Sequence, residues 1–393
     1  MRKKLLWIGD AACDSGFAKC THETLPAFRE KYDISVLGLN YRGDPHTFDY
    51  PIYPAYVPGG DLFGLSRLRD ILGKVRPDVV IVQNDPWNVP AYMKRFQALY
   101  TATDRPFFVG AIAVDGKNCR GKDLNGLDHV MFWTKFAEDE ARAGGFEKTS
   151  SVVPLGVNLE QFYPGDRTTA REKLGLTDKD HQGLSNGFFV LNINRNQPRK
   201  RLDLTIEYFA QAFHELERPD DLFLYLHVCP TGDLGYNLDQ LGGHYGLAGH
   251  VILVEPGVYK GSTDDEVRLT YQACNVQVST TQGEGWGLTT LEGMACGLPQ
   301  IVPNWSALGE WATAAYRVRC TGRSVTPNNV NVIGGVPNRE EFVEALKLAY
   351  HSRVWREEVA AAGLRLAAKP EYRWDNIAGA FFRGVEGALA RHT

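Results

Sequence analysis

The chain has 393 residues, 44% of them hydrophobic and 23% charged, with a formal net charge of -4 at pH 7. That length supports two domains, each with a full core. The slightly acidic balance excludes a global field that would draw the whole protein to nucleic acid or to an anionic membrane.

The seven cysteines, at positions 13, 20, 119, 229, 274, 296 and 320, are odd in number and form no C-x-x-C. They read as reduced thiols of a cytoplasmic protein, neither a disulfide frame nor a zinc site. The apolar start, Leu5-Leu6-Trp7-Ile8, is too short for a signal peptide and ends at Asp10, so it reads as a first buried strand. No stretch has the apolar length needed to span a bilayer.

In chain order, short β-branched or aromatic runs alternate with amphipathic ones, the pattern of β-α units around a parallel sheet. Strands are predicted over 5–9, 34–39, 79–83, 107–114, 130–133 and 151–154, with a helix over 65–75 that gathers Leu65, Leu68, Ile71, Leu72 and Val75 on one face. Residues 164–186 are polar and rich in Gly, Asp and Thr, and read as a boundary. A second series follows, over 188–193, 222–228, 251–254, 276–279 and 300–302, and then a helical tail over 338–393 broken at Pro370. The expectation is α/β: two Rossmann-like, doubly wound domains, 1–165 and 187–368, facing across a cleft. Residues 369–393 form a last helix that packs back toward the first domain. In such sheets ligands bind beyond the carboxyl ends of the strands.

Five loops at those ends carry chemistry. Between the first strand and helix, Gly9-Asp10-Ala11-Ala12-Cys13-Asp14-Ser15-Gly16 is small enough for backbone amides to approach a phosphate. It lacks the G-x-G-x-x-G dinucleotide pattern, which argues against a nicotinamide enzyme, and a plain tight turn also explains it. Asp85 and Trp87 follow the third strand, where Trp87 either stacks on a sugar or base or packs the next helix. Asp115 follows the fourth, ahead of Lys117, Arg120 and Lys122, which either receive an acidic acceptor or form a solvated loop. In the second half, Asn194-Arg195-Asn196-Gln197-Pro198-Arg199-Lys200-Arg201 gathers cations at a strand end, as a diphosphate requires.

The most informative stretch is Gly283-Glu284-Gly285-Trp286-Gly287-Leu288, which runs into Thr289-Thr290-Leu291-Glu292. A glycine-rich helix start attracts an anion, while the two carboxylates accept hydrogen bonds from hydroxyls. Phosphate and polyol together point to a sugar nucleotide. Asp178 and Asp180 have the D-x-D form that some sugar-transfer enzymes use for a metal, but they fall in the boundary stretch, so neither metal nor other cofactor is expected.

On these residues the chain resembles the retaining glycosyltransferases of family 4, whose two-Rossmann architecture is called GT-B. The family's E-x7-E element matches Glu284 and Glu292, and its diphosphate-binding arginine and lysine match Arg195 and Lys200. The resemblance implies a donor site of Gly16, Arg195, Lys200, Gly285, Trp286, Gly287, Leu288 and Glu292, with Glu284 on the donor sugar and Arg195, Lys200, Glu284 and Asp115 the catalytic set. It also implies retention of anomeric configuration. A histidine that many members carry after the fourth strand is replaced here by Val114 and Asp115. The expected function is transfer of a sugar, a hexose such as glucose, from a UDP- or GDP-linked donor to an acceptor hydroxyl. The acceptor, whether small molecule, glycan, protein or a hydroxylated base in DNA, would meet Asp85, Trp87, Lys117, Arg120 and Lys122. A sugar-nucleotide epimerase and a non-catalytic nucleotide-sugar binder are the competing readings.

Overall fold

Strand β1 (Lys3–Asp10) shows why the first sheet forms: after two exposed lysines every residue is buried, so both faces of the strand are covered. The computed structural model describes residues 2–13, 15–56, 61–101, 103–178, 184–214, 218–228, 235–254, 261–327 and 330–392. They divide into two compact units, Met1–Leu155 with Trp374–Thr393, and Gly156–Arg373.

In the first unit β1 is followed by α1 (Gly16–Thr24), β2 (Tyr32–Leu39), β3 (Ile52–Pro54), α2 (Leu68–Val75) and β4 (Val79–Asn84). Then come α3 (Val89–Leu99), β5 (Phe107–Ile112), β6 (His129–Phe132), α4 (Lys135–Ala143) and β7 (Thr149–Val152). The sheet order is β3-β2-β1-β4-β5-β6-β7, and every pairing is parallel. Helix α2 begins three residues later than its apolar face suggests. The Asp61 carboxylate accepts the Leu65 and Ser66 N–H groups at 3.0 and 2.9 Å, holding that segment in a turn instead.

The C-terminal helix (Trp374–His392) completes this unit. Phe381 lies 5.8 Å from Trp7 and Phe382 lies 5.2 Å edge-on to Phe28, between ring centroids. Glu386 takes Lys31 at 3.1 Å and the Tyr32 hydroxyl. A Cβ on Gly384 would come within 2.6 Å of the Met131 methyl, so the helix backbone itself lies against the sheet.

The second unit runs α5 (Arg167–Lys173), β8 (Phe188–Ile193), α6 (Leu202–Ala212), β9 (Leu222–His227), α7 (Leu238–His244), β10 (Val251–Val254), α8 (Asp264–Ala273) and β11 (Val276–Val278). It continues α9 (Leu288–Ala295), β12 (Gln300–Pro303), α10 (Ser306–Trp311), β13 (Tyr316–Val318), β14 (Cys320–Val325), β15 (Ile333–Pro337), α11 (Arg339–His351) and α12 (Arg353–Ala367). Its main sheet, β10-β9-β8-β11-β12-β13, is parallel and has the Rossmann strand order. Helix α9 lies close on it because residue 293 is glycine. A Cβ there would stand 2.2 Å from Gln277 Oε1 and 2.6 Å from Gln300 Nε2.

Two sequence expectations need correction. The polar stretch read as a boundary folds into the second unit. Asp166 caps α5 by accepting the Thr169 N–H at 2.8 Å. Buried Arg171 then donates to the carbonyls of Ala273, Ser185 and Gly187 at 2.9, 3.0 and 2.7 Å and to Asn275 Oδ1 at 3.0 Å. One buried guanidinium holds together a segment whose composition looks like a linker. The chain instead passes between units at 155/156 and 373/374. Strands β3, β13, β14 and β15 were also not anticipated. β3 and β13 are three residues long, and β14 and β15 pair as an antiparallel hairpin. β15 contains Gly334 and Gly335, where a Cβ would come within 2.5 Å of Gln282 and 2.7 Å of Trp305. Close approach of the backbone, not strand propensity, places that strand.

Candidate active site

The strand order of the second unit reverses between β8 and β11, the position where doubly wound sheets open a crevice. The basic turn leaves β8 and the glycine-rich turn follows β11, so both lie at that switch point. They are tied through the main chain of the basic turn: the Gln282 N–H donates to the Arg199 carbonyl at 2.9 Å, and the Thr280 side-chain hydroxyl to the Arg201 carbonyl at 2.7 Å.

Pro198 starts a single 3₁₀ turn, Pro198–Lys200, that aims two cations at the glycine-rich turn. Lys200 Nζ lies 2.5 Å from Glu284 Oε1. Arg199 Nη1 lies 3.4 Å from Glu284 Oε2 and donates to the Gly283 carbonyl at 3.0 Å. Burial alone would raise the pKa of Glu284, which is 8% exposed, but Lys200 and Arg199 outweigh burial and hold it below the usual carboxylate value. The Glu284 main chain is held from the other side, its N–H donating to Ser306 Oγ at 3.0 Å.

Gly287 has φ +95° and caps α9, and a Cβ would meet Leu308 at 2.7 Å, so glycine is required there on both counts. Leu288 opens the helix, and Glu292 follows one turn later. Glu292 is buried and accepts the Tyr271 hydroxyl at 3.0 Å; burial, reinforced by that carboxylate, keeps the Tyr271 hydroxyl protonated well above its ordinary range. The two acids of the E-x7-E element are thus both buried, one beside cations and one beside a phenol.

Trp286, expected at the donor, places its indole in the core of the unit. Its side chain is 3% exposed and stacks on Trp311 with ring centroids 4.9 Å apart, while its carbonyl accepts the Trp311 indole N–H at 2.8 Å. Its apolar surface is used in packing. Arg195 is exposed on the loop after β8, and the second cation that reaches Glu284 is Arg199. Sequence reasoning missed Arg199, although it stood in the quoted basic run; it also missed Tyr271 and Ser306, which carry no local signal.

In the first unit the remaining candidates lie at carboxyl strand ends. Gly16 is the exposed first residue of α1, whose cap Ser15 accepts the Ala18 N–H at 3.0 Å and donates to Asp10 at 2.7 Å. Asp14 of that turn lies outside the described residues. Asp85 and Trp87, both half-buried, follow β4. Strand β5 ends at Ile112, short of its expected end, and Asp115 beyond it is buried. Of the three cations after it, Lys117 and Lys122 are exposed and Arg120 pairs with Asp123 at 2.9 Å.

Asp178 accepts the Ser185 N–H at 3.0 Å, and Asp180 lies outside the described residues. Among the described residues no three His, Cys, Asp or Glu side chains converge as metal ligands, and no helix is long and apolar enough to cross a membrane.

Residues 177–351 match the family described as Glycosyl transferases group 1. That stretch of the chain is similar to the family. Both turns and both acids fall inside it. A D-inositol 3-phosphate glycosyltransferase of Geodermatophilus obscurus is 32% identical over 257 residues, 58% of this chain and 53% of that protein. Another, of Streptosporangium roseum, is 25% identical over 245 residues, 61% of this chain and 50% of that protein. The chain thus spans about half the length of these curated relatives. Among solved structures, sucrose-phosphate synthase from Thermosynechococcus elongatus superposes with a TM-score of 0.74 at 16% identity, covering 99% of this chain and all of that one. Anabaena HepE in complex with UDP-glucose superposes with a TM-score of 0.71 at 14% identity, covering 98% and 100%. The fold is therefore the two-Rossmann GT-B architecture.

Proposed function

We propose that the protein transfers a sugar, a hexose, from a UDP- or GDP-linked donor to an acceptor hydroxyl, with retention of configuration and without a metal. The observation that carries this reading is the Arg199–Lys200–Glu284 cluster at the switch point of the second unit. Breaking the bond between the anomeric carbon and phosphate builds negative charge on the departing diphosphate. Fixed cations stabilise that charge more in the transition state than in the ground state. Lys200, held by Glu284 in the turn, is a compact point charge suited to a phosphate oxygen. Arg195, on the same loop, supplies a second donor fork.

Glu284 stays ionised between its two cations and accepts hydrogen bonds from the sugar's hydroxyls. Glu292, whose Oε2 already accepts the Tyr271 hydroxyl, has acceptor capacity left for the two ribose hydroxyls. The relatives' name, D-inositol 3-phosphate glycosyltransferase, suggests a phosphorylated polyol acceptor. The family match lies wholly in the second unit, so what we carry over from it is the donor chemistry.

The test is a panel of UDP- and GDP-linked hexoses, followed by release of the nucleoside diphosphate with and without polyol, glycan and hydroxylated-DNA acceptors. Acceptor-dependent release is expected. Conversion of the donor's sugar with no acceptor present would make an epimerase the better reading, and binding without turnover would make the protein a sensor.

A further inference from the structure

Six non-glycine residues among those described have a left-handed backbone: Asn40, Arg76, Asn118, Arg201, Ser306 and Asn331. Three are asparagine, which tolerates this region, and the other three are strained. Two of the three, Arg201 and Ser306, stand at the turns that hold Lys200 and Glu284. Arg201, φ +53°, follows Lys200 directly, and its guanidinium is occupied by Asp203 at 2.9 Å. Ser306, φ +48°, is buried and opens α10.

Strain of this kind persists where the surroundings over-determine it, and it gathers at functional sites. At residue 306 the determining contact is polar. The Ser306 hydroxyl accepts the Glu284 N–H at 3.0 Å, while the next amide, Ala307, donates to the Glu284 carbonyl at 3.4 Å. The start of α10 thus grips both main-chain groups of the one acid whose carboxylate is gripped by Lys200 and Arg199. Glycine would fit the backbone without strain, but it would leave the Glu284 N–H, buried inside the turn, without its acceptor.

We propose that Ser306 is a positioning residue of the donor site, held in an unfavourable backbone conformation because its hydroxyl fixes Glu284 in the turn. The proposal rests on the donor-site reading above and adds a residue to it. A serine that is merely tolerated and one that is required predict opposite results for one substitution. Ser306→Gly removes the strain and the hydroxyl together, whereas Ser306→Ala removes the hydroxyl and keeps the strain.

The experiment measures thermal stability and steady-state turnover of UDP-glucose and GDP-mannose for the full chain and both variants. Ser306→Gly is expected to melt no lower than wild type and yet lose about five- to tenfold in kcat/KM, the effect of one neutral hydrogen bond. Ser306→Ala is expected to lose a similar factor in kcat/KM and to melt lower. Wild-type turnover in Ser306→Gly overturns the proposal, and so does a lowered melting temperature, which would make the serine a stability residue. Failure of the donor-site reading looks different, since wild type itself would then turn over neither sugar nucleotide. In that case the melting order alone decides whether the strain at 306 is retained for stability.

Discussion

Lys200 Nζ and Glu284 Oε1 meet at 2.5 Å from turns that follow neighbouring strands, 84 residues apart in the chain. Both side chains are nine-tenths buried, so neither charge is solvated if the other is lost. The pair is therefore a structural clamp, and in the proposed function it is also where charge would be met in the reaction.

Lys200→Ala is expected to abolish most turnover, by about 10²–10³ if the lysine acts like an oxyanion donor. It should also destabilise the protein, by less than the ~3–5 kcal/mol of a fully unpaired buried charge, because Arg199 still faces Glu284. Arg199→Ala keeps the lysine and should cost less on both counts. Arg195→Ala, on the exposed loop, should reduce turnover without lowering the melting temperature. Parallel denaturation and kinetic measurements check all three, and equal losses of stability for Arg195→Ala and Lys200→Ala would contradict the arrangement.

Gly293→Ala is expected to destabilise the second unit, because the new methyl would sit 2.2 Å from Gln277 Oε1. Overpacking of this kind costs about 1–3 kcal/mol. Moving α9 to relieve it would shift Glu292, so donor affinity should fall as well. Gly243→Ala, on α7 with open space around its position, is the control and should leave both unchanged.

His129 and His227 give the fold a pH dependence. Burial lowers both pKa values to about 4; at His129 the Arg391 charge adds to the effect, and at His227 the Glu266 charge opposes it. Between the unfolded value of 6.5 and about 4 the unfolded chain binds a proton that the folded chain refuses. Stability therefore rises with pH through that window and is lost as pH falls through it. Melting temperatures from pH 7 to 4 should drop less steeply for His129→Gln than for wild type. Parallel curves would show that His129 does not titrate as its burial implies.

If the proposed function holds, transfer is expected to survive EDTA, because Lys200 and Arg195 would then supply the positive charge that a divalent ion would otherwise bring to the diphosphate. Loss of activity that returns on adding a divalent metal would shift attention to the carboxylates, beginning with Asp178.

Local signals were read well and distant ones were not. The parallel sheets were legible because strands buried on both faces are apolar throughout, as in the run 188–193. Glu284 and Glu292 were legible because a glycine-rich helix start is written in consecutive residues. Arg199 was hidden within its own run, since only the 3₁₀ turn beginning at Pro198 decides which cations face the glycine-rich turn. Ser306 lies 22 positions beyond its partner, and its left-handed backbone leaves no mark in composition. Arg171 was hidden by polar neighbours, because a buried cation held by carbonyl groups has the same composition as a solvated linker. Trp286 was assigned to the ligand on the strength of its neighbours, although a large ring beside small residues also suits packing against Trp311.

The C-terminal helix gives synthesis an order of events. Trp7 and Phe28 are made before residues 156–373, and their partner Phe381 is made after them. During translation the earlier-made unit must wait, its aromatic surface uncovered, while residues 156–373 emerge and fold. That unit cannot be completed until the intervening one has been made, and an apolar face left open for that interval is the kind of surface that chaperones or a second copy would cover.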